Sequence, residues 1–167
     1  VAEPGEGLER DIERVAAIRD ALPAAKIRID ANGAWSVKDA IKAIKKLDQV
    51  AGGLEYVEQP CKTVEDLREV RRKVNVPIAA DESIRRAADP FRVRDLEAAD
   101  IAVLKVQPLG GVRACLRIAE QIGMPVTVSS AVETSIGLAA SVALAAALPE
   151  LPYACGIGTA HLLTADV

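Results

Sequence analysis

Four polar residues, Asp30, Glu58, Asp81 and Lys105, each close a short apolar run: KIRID (26–30), LEYVE (54–58), PIAAD (77–81) and IAVLK (101–105). The intervals between them are 28, 23 and 24 residues, room for one strand, one helix and two short loops each. Strands joined through a helix run in the same direction, so this rhythm commits the chain to parallel sheet. A parallel barrel gathers all its C-terminal strand ends at one mouth. Three carboxylates there would make an oxygen-rich site for a hard divalent cation, with a lysine across from them. Ionisable groups in such a place are costly to desolvate unless paired or metal-bound.

The rest of the chain follows the same alternation. Apolar spacing predicts helices over 8–22, 37–50, 64–73, 89–98, 112–122 and 136–147, and two further strands over 125–129 and near 154–157. Ser36 and Thr63 are N-caps for the second and third helices, Thr134 or Ser135 for the last, and Gly52 and Gly123 lie just past helix ends. Six strands and six helices make an α/β chain with no polar linker, read as one domain over 1–167. A closed barrel takes eight strands and about 250 residues. The periodicity therefore leaves two architectures open, a doubly wound sheet or part of a barrel.

Half of the residues are apolar but only 2% are aromatic, so the core must be Ala, Val, Leu and Ile. A net charge of −3 offers no footprint for nucleic acid or an acidic membrane. The basic cluster Arg68, Arg71, Arg72 and Lys73 shares a helix with Glu65, Asp66 and Glu69 and reads as an internally paired, solvated face. Cys61, Cys115 and Cys155 are odd in number and lack a C-x-x-C pair, which points to a reducing cytoplasm rather than to disulfides or zinc. The longest apolar stretch, 136–148, is too short to span a bilayer, and the acidic start VAEPGEGLERD is no signal peptide. A soluble cytoplasmic protein is expected, without nucleic-acid or membrane partners.

Each strand end has its own chemistry. Asp30 opens D-A-N-G-A-W, where Asn32 adds a second oxygen donor before a sharp turn, although Asp-x-Asn-Gly is also an ordinary turn signature. Glu58 precedes Gln59-Pro60 and cannot run on into helix. Asp81-Glu82 sets two acids side by side, one able to face the mouth while the other supports it. Magnesium suits this donor set, with manganese a substitute, and would bind a substrate carboxylate. Lys105 would serve as a base or cation beside the charge that develops on the substrate. Gly110 and Gly111 would open the following helix with bare N–H groups for an anion, and Ser129 and Ser130 would donate to a second carboxylate. His161 has no partner at metal spacing and reads as a surface residue, and Trp35 as packing.

D-A-N-G-A-W, E-Q-P, A-D-E-S, K-V-Q-P-L-G-G and S-S-A-V-E-T-S-I-G-L-A, in this order, resemble the enolase superfamily in its muconate-lactonizing branch. The resemblance implies a partial (β/α) barrel, strands 3–8 of a TIM-like (β/α)7β barrel without its capping domain and truncated at both ends. It makes Asp30, Glu58 and Asp81 Mg2+ ligands and matches Lys105 to the family lysine that stabilises the developing negative charge. Within the branch the wording is most like a menaquinone-pathway dehydratase acting on a small carboxylate. An N-acylamino acid racemase or a cycloisomerase is the alternative. A dipeptide epimerase fits less well, because its D-x-D on the eighth strand is replaced by A-C-G-I-G (154–158). The family's K-x-K motif, whose last lysine takes the proton, would fall just before residue 1. The isolated chain is accordingly expected to be inactive and, with two exposed sheet edges, to self-associate. A further alternative is a non-catalytic metal-binding or structural partial barrel.

Overall fold

A computed structural model describes residues 7–166; the stretch 1–6, with most of the acidic start, lies outside the described residues. The chain divides into two compact units. One is built on the residues up to Ser83 together with Asp95–Asp100, the other on Ile84–Arg94 and the residues from Ile101 on.

In the first unit α1 (Gly7–Ala21) leads into β1 (Ile27–Asp30), α2 (Val37–Ala51), β2 (Leu54–Glu58), α3 (Val64–Arg71) and β3 (Ile78–Ala80). The strands are parallel and lie in the order β1-β2-β3. Ala40, Ala43, Ile44, Leu47 and Ala51 recur at helical spacing and form the buried stripe of α2. Ile44, Leu47, Leu67, Val57 and Ile78 are completely buried, an aliphatic core with small alanines that let helix and strand approach. Both expected caps form: the Ser36 hydroxyl accepts from the Asp39 N–H at 3.2 Å and Thr63 Oγ1 from the Asp66 N–H at 3.1 Å. Gly52 ends α2 in the left-handed region, with φ 64°. Beyond α2, Arg19 Nε donates to the Ala51 carbonyl at 2.6 Å, tying α1 to the end of α2.

The basic cluster of α3 pairs differently from expectation. The helix expected over 64–73 ends at Arg71, and Lys73, just past it, meets Glu69 at 2.9 Å. Arg71 instead reaches Asp100 at 2.8 Å, and Arg72 lies 4.0 Å from Glu97. Asp100 also accepts from the Ile78 N–H at 2.9 Å, so these arginines fasten the segment 97–100 to the start of β3. Helical spacing alone ranks only partners on the same helix, which is why the sequence pointed to Glu69 but not to Asp100 or Glu97.

The second unit holds α4 (Asp89–Asp95), β4 (Ile101–Leu104), α5 (Val112–Ile122), β5 (Val126–Val128), α6 (Ser135–Ala147) and a 3-10 turn, Thr159–Leu162. β4 and β5 pair in parallel, Ala102 with Val126 through Leu104 with Val128. Two expectations fail here. The helix over 89–98 stops at Asp95, before Glu97 takes a positive φ of 52°. The strand near 154–157 is reduced to a single bridge, Ser129 to Gly156, because two glycines in A-C-G-I-G supply neither β-branching nor side chains to pack. Among the described residues no helix is long and apolar enough to cross a membrane.

Candidate functional site

The register of the first unit sets two of the acids side by side and leaves the third just past the ladder. Asp30 pairs with Glu58, and Glu58 with Ala79. Partners in a parallel ladder lie on one face, and side chains alternate along each strand. The two carboxylates therefore share a face with the small Ala79, and Asp81 follows two residues later. Asp81 is buried, whereas Asp30, Glu58 and Glu82 are half-buried. One layer below, Arg28 is opposite Tyr56 because a register irregularity skips Glu55. Its guanidinium lies 4.8 Å from the Tyr56 ring centroid and donates to the Tyr56 hydroxyl at 3.2 Å and to Glu55 at 2.5 Å.

The D-A-N-G turn is both the turn the sequence allowed and part of the acidic cluster. Asp30 Oδ1 accepts from the Asn32 N–H at 2.8 Å, an Asx turn, and Oδ2 from Asn32 Nδ2 at 2.9 Å. The same amide nitrogen donates to Glu82 Oε1 at 3.2 Å. Asn32, placed with φ 46°, thus bridges the ends of β1 and β3. Gly33 holds φ 72° and lies so close to the next loop that a Cβ would meet Lys62 Cα at 3.2 Å. Its N–H donates to the Gln59 carbonyl at 2.7 Å, and the Trp35 N–H to Pro60 at 3.1 Å.

Burial raises the Asp30 carboxyl above its ordinary value; the Asn32 N–H opposes this, and the charges of Glu82 and Asp81 add to the rise. Negative charge is therefore concentrated at Asp30. Among the described residues no group of three or more His, Cys, Asp or Glu side chains is drawn together closely enough to hold a metal ion. The donor set fits magnesium chemically nonetheless: all donors are hard oxygens, and this ion takes one or two carboxylates with waters and substrate oxygens rather than a protein cage.

The remaining candidates belong to the second unit. Lys105 and Ser129 follow the adjacent strands β4 and β5, and the Ser129 N–H donates to the Leu104 carbonyl at 3.1 Å. Gly111 is the N-cap of α5, as expected, but the two glycine N–H groups are not bare. The Gly110 N–H is bonded to Gln107 at 3.2 Å and the Gly111 N–H to Val106 at 2.8 Å, so both donors are spent on the turn. The serines are likewise occupied. Ser129 and Ser130 Oγ donate to the Gly156 carbonyl at 3.4 and 3.3 Å, and Ser130 Oγ lies 3.0 Å from Thr159 Oγ1. They tie β5 to the segment that the sequence had made a strand. A cavity of about 630 Å3 adjoins Pro125 and Val126, at the start of β5 rather than at its end. His161 is exposed.

One residue of the cluster escaped the sequence reading. Gln59 is fully buried, and its carboxamide bonds to the turn carrying Asp81. A glutamine between Glu58 and Pro60 carries no periodic signal; the only hint was a polar residue at a loop that packs against another loop.

Comparison with known proteins follows the same lines. The chain is 68% identical over 168 residues to o-succinylbenzoate synthase of Thermobifida fusca, covering 100% of the chain and 52% of that protein. It superposes on muconate lactonizing enzyme from Pseudomonas putida with a TM-score of 0.88 at 30% identity, over 98% of the chain and 47% of the enzyme. Against the dipeptide epimerase from Enterococcus faecalis, in complex with Mg and L-Leu-L-Tyr, the TM-score is 0.83 at 36% identity, over 93% and 45%. The chain thus spans about half the length of the curated relatives it matches. These superpositions bear out the α/β partial-barrel class. Residues 2–167 match the family described as enolase C-terminal domain-like, and the chain belongs to that family.

Proposed function

We propose that the protein is an o-succinylbenzoate synthase, removing water from 2-succinyl-6-hydroxy-2,4-cyclohexadiene-1-carboxylate to give o-succinylbenzoate. The observation that carries this is 68% identity to a synthase of that name along the whole chain. The elements of water leave as a proton from the carbon next to the carboxylate and as hydroxide from the ring, which becomes aromatic.

Asp30, Glu58 and Asp81 would hold Mg2+, with Mn2+ as a substitute. When bound, the ion would draw in the substrate carboxylate and lower the energy of the negative charge that grows on it. Asn32 and Glu82 orient the first of these ligands: the Asn32 amide holds Asp30 Oδ2 while donating to Glu82. Each Asp30 oxygen accepts one bond from Asn32 and keeps a second lone pair for a cation. Lys105 would present its ammonium to the developing oxyanion. No K-x-K occurs in the 167 residues, so this chain supplies the cation site and Lys105 but not the proton-abstracting lysine of that motif. The isolated chain would bind the ion without turning over substrate.

The test is turnover of the cyclohexadiene carboxylate by the full-length protein, with Lys105→Ala and Asp81→Asn variants beside it. Loss of turnover by at least two orders of magnitude in both variants supports the reading. A folded, Mg2+-loaded protein that does not turn over this substrate but racemises N-acylamino acids would shift it to the racemases of the family.

A further inference from the structure

Gln59 occupies a place where an aliphatic side chain would be expected. It follows β2, is 0% exposed, and lies in a buried stretch of sequence with Val57, Pro60 and Cys61. Burying a carboxamide is unfavourable unless its hydrogen-bonding groups are met. Here all four are. Oε1 accepts from the Asp81 N–H at 3.0 Å and from the Ser83 N–H at 3.1 Å. Nε2 donates to the Cys61 carbonyl at 2.9 Å and to Ser83 Oγ at 2.8 Å. The carboxamide has two acceptor sites and two donor hydrogens, so none is left over.

The backbone of the same residue is also unusual. Gln59 is held at φ 35°, in the left-handed region that a non-glycine residue enters at a cost of about 1 kcal/mol. Its N–H donates to the Ala79 carbonyl at 2.8 Å, and its carbonyl accepts from Gly33 at 2.7 Å. Three segments therefore meet at one residue: the loop after Asp30 through the backbone carbonyl, Glu58 through the peptide bond, and the turn bearing Asp81 and Glu82 through the side chain. Filling the space needs none of this. A leucine would fill it without strain at a polar group. The donors to its side-chain oxygen are what set Gln59 apart, because one is the N–H of Asp81 itself and the other the N–H two residues on.

We propose that Gln59 is a positioning residue for a divalent-cation site: its buried carboxamide clamps the backbone at Asp81 and Ser83 and thereby sets the affinity of the carboxylate cluster. This rests on reading Asp30, Glu58 and Asp81 as cation ligands. Asp81 lies in a turn beyond the last strand residue, Ala80, outside the ladder that pairs Asp30 with Glu58. With the clamp, the Asp81 backbone is fixed before the ion arrives and no ordering has to accompany binding. Without it, the turn loses the bonds at the Asp81 N–H, the Ser83 N–H and Ser83 Oγ, and part of the binding energy goes into ordering it.

The experiment measures Mn2+ binding by electron paramagnetic resonance, urea stability, and hydrogen exchange at the Asp81 and Ser83 amides in metal-free protein. The chains compared are the wild type, Gln59→Leu, Gln59→Asn, and Val70→Ala, a buried site on α3 outside the cluster. Gln59→Leu removes all four bonds at similar volume, and Gln59→Asn keeps the amide but withdraws it by one methylene. The expected result is Mn2+ affinity about 10–100-fold weaker in both Gln59 variants, with faster exchange at both amides. Val70→Ala should lose stability while binding Mn2+ as the wild type does. Wild-type binding with either folded Gln59 variant within twofold of it would overturn the positioning role and leave the cation site standing. No binding by the wild type would overturn both.

Discussion

Replacing Asp30 by asparagine separates what its carboxylate does with a cation from what it does without one. In the metal-free chain, burial and the charges of Glu82 and Asp81 outweigh the Asn32 bonds and hold the Asp30 carboxyl above its ordinary value. Between the unfolded and the raised folded value the native chain binds more protons than the unfolded one. Stability therefore falls as pH rises through that window. The penalty is absent below the unfolded value and fully present above the folded one. In Asp30→Asn the side-chain carbonyl can still accept from the Asn32 N–H, now at 2.8 Å, while the Asn32 amide keeps Glu82 at 3.2 Å and loses its Asp30 acceptor. Repulsion among partly exposed carboxylates is worth about 0.5–1 kcal/mol. The metal-free variant should thus be more stable by about 0.5 kcal/mol, or about 1–2 °C in Tm for a chain of this size. Excess Mg2+ reverses the order. At a hundredfold excess over Kd the wild type gains about 2.7 kcal/mol, and the variant, lacking one ligand, gains far less. Urea unfolding followed by circular dichroism, in EDTA and in saturating Mg2+, reads both effects. A variant that is less stable than wild type in EDTA, or that gains as much from Mg2+, would refute the reasoning.

Other outcomes follow from individual contacts. Gly33→Ala should cost about 2 kcal/mol, because a left-handed φ of 72° is joined by a Cβ contact of 3.2 Å to Lys62 Cα. Gly52→Ala, at φ 64° in open space, should cost only about 1 kcal/mol, and equal losses in urea titrations would contradict the close approach. Burial lifts the Cys61 thiol to about 12 and Cys115 to about 11, so a native chain should show one fast thiol, half-exposed Cys155, with Ellman's reagent, and three after unfolding. A second fast thiol would show that the core around Cys61 or Cys115 opens readily. Burial pushes the Glu55 carboxyl up, but bonds from Arg28 and Lys26 outweigh it and leave the group below its ordinary value of 4.5. Its stabilisation is present above 4.5 and lost as pH falls through the lowered folded value. Glu55→Gln should therefore cost about 1 kcal/mol at pH 7, with the gap closing below that window; a pH-independent gap would assign the loss to packing.

Much of this arrangement was legible in the amino-acid order because it is periodic. The α2 stripe from Ala40 to Ala51, the Ser36 and Thr63 caps and the acids closing three apolar runs are all spacing signals, and each appears where expected. What escaped lies in contacts between segments distant in sequence. Gln59 reaches Asp81, Arg71 reaches Asp100, and the register skip at Glu55 lets Arg28 face Tyr56. None of these leaves a local trace, since each depends on which loop or strand lies alongside. The bonding of the Gly110 and Gly111 N–H groups was hidden for a different reason. Glycines before a helix suggest open N–H groups, but this turn closes on the carbonyls of Val106 and Gln107.

The central claim is that strand-end carboxylates from three successive β/α units form one cation site. Calorimetric titration of Mg2+ into the chain, beside Asp81→Asn and Glu58→Gln, tests it most directly. The account predicts one ion per chain for the wild type and at least a tenfold loss of affinity in each variant. Binding that survives both substitutions, or no binding by the wild type, would contradict it.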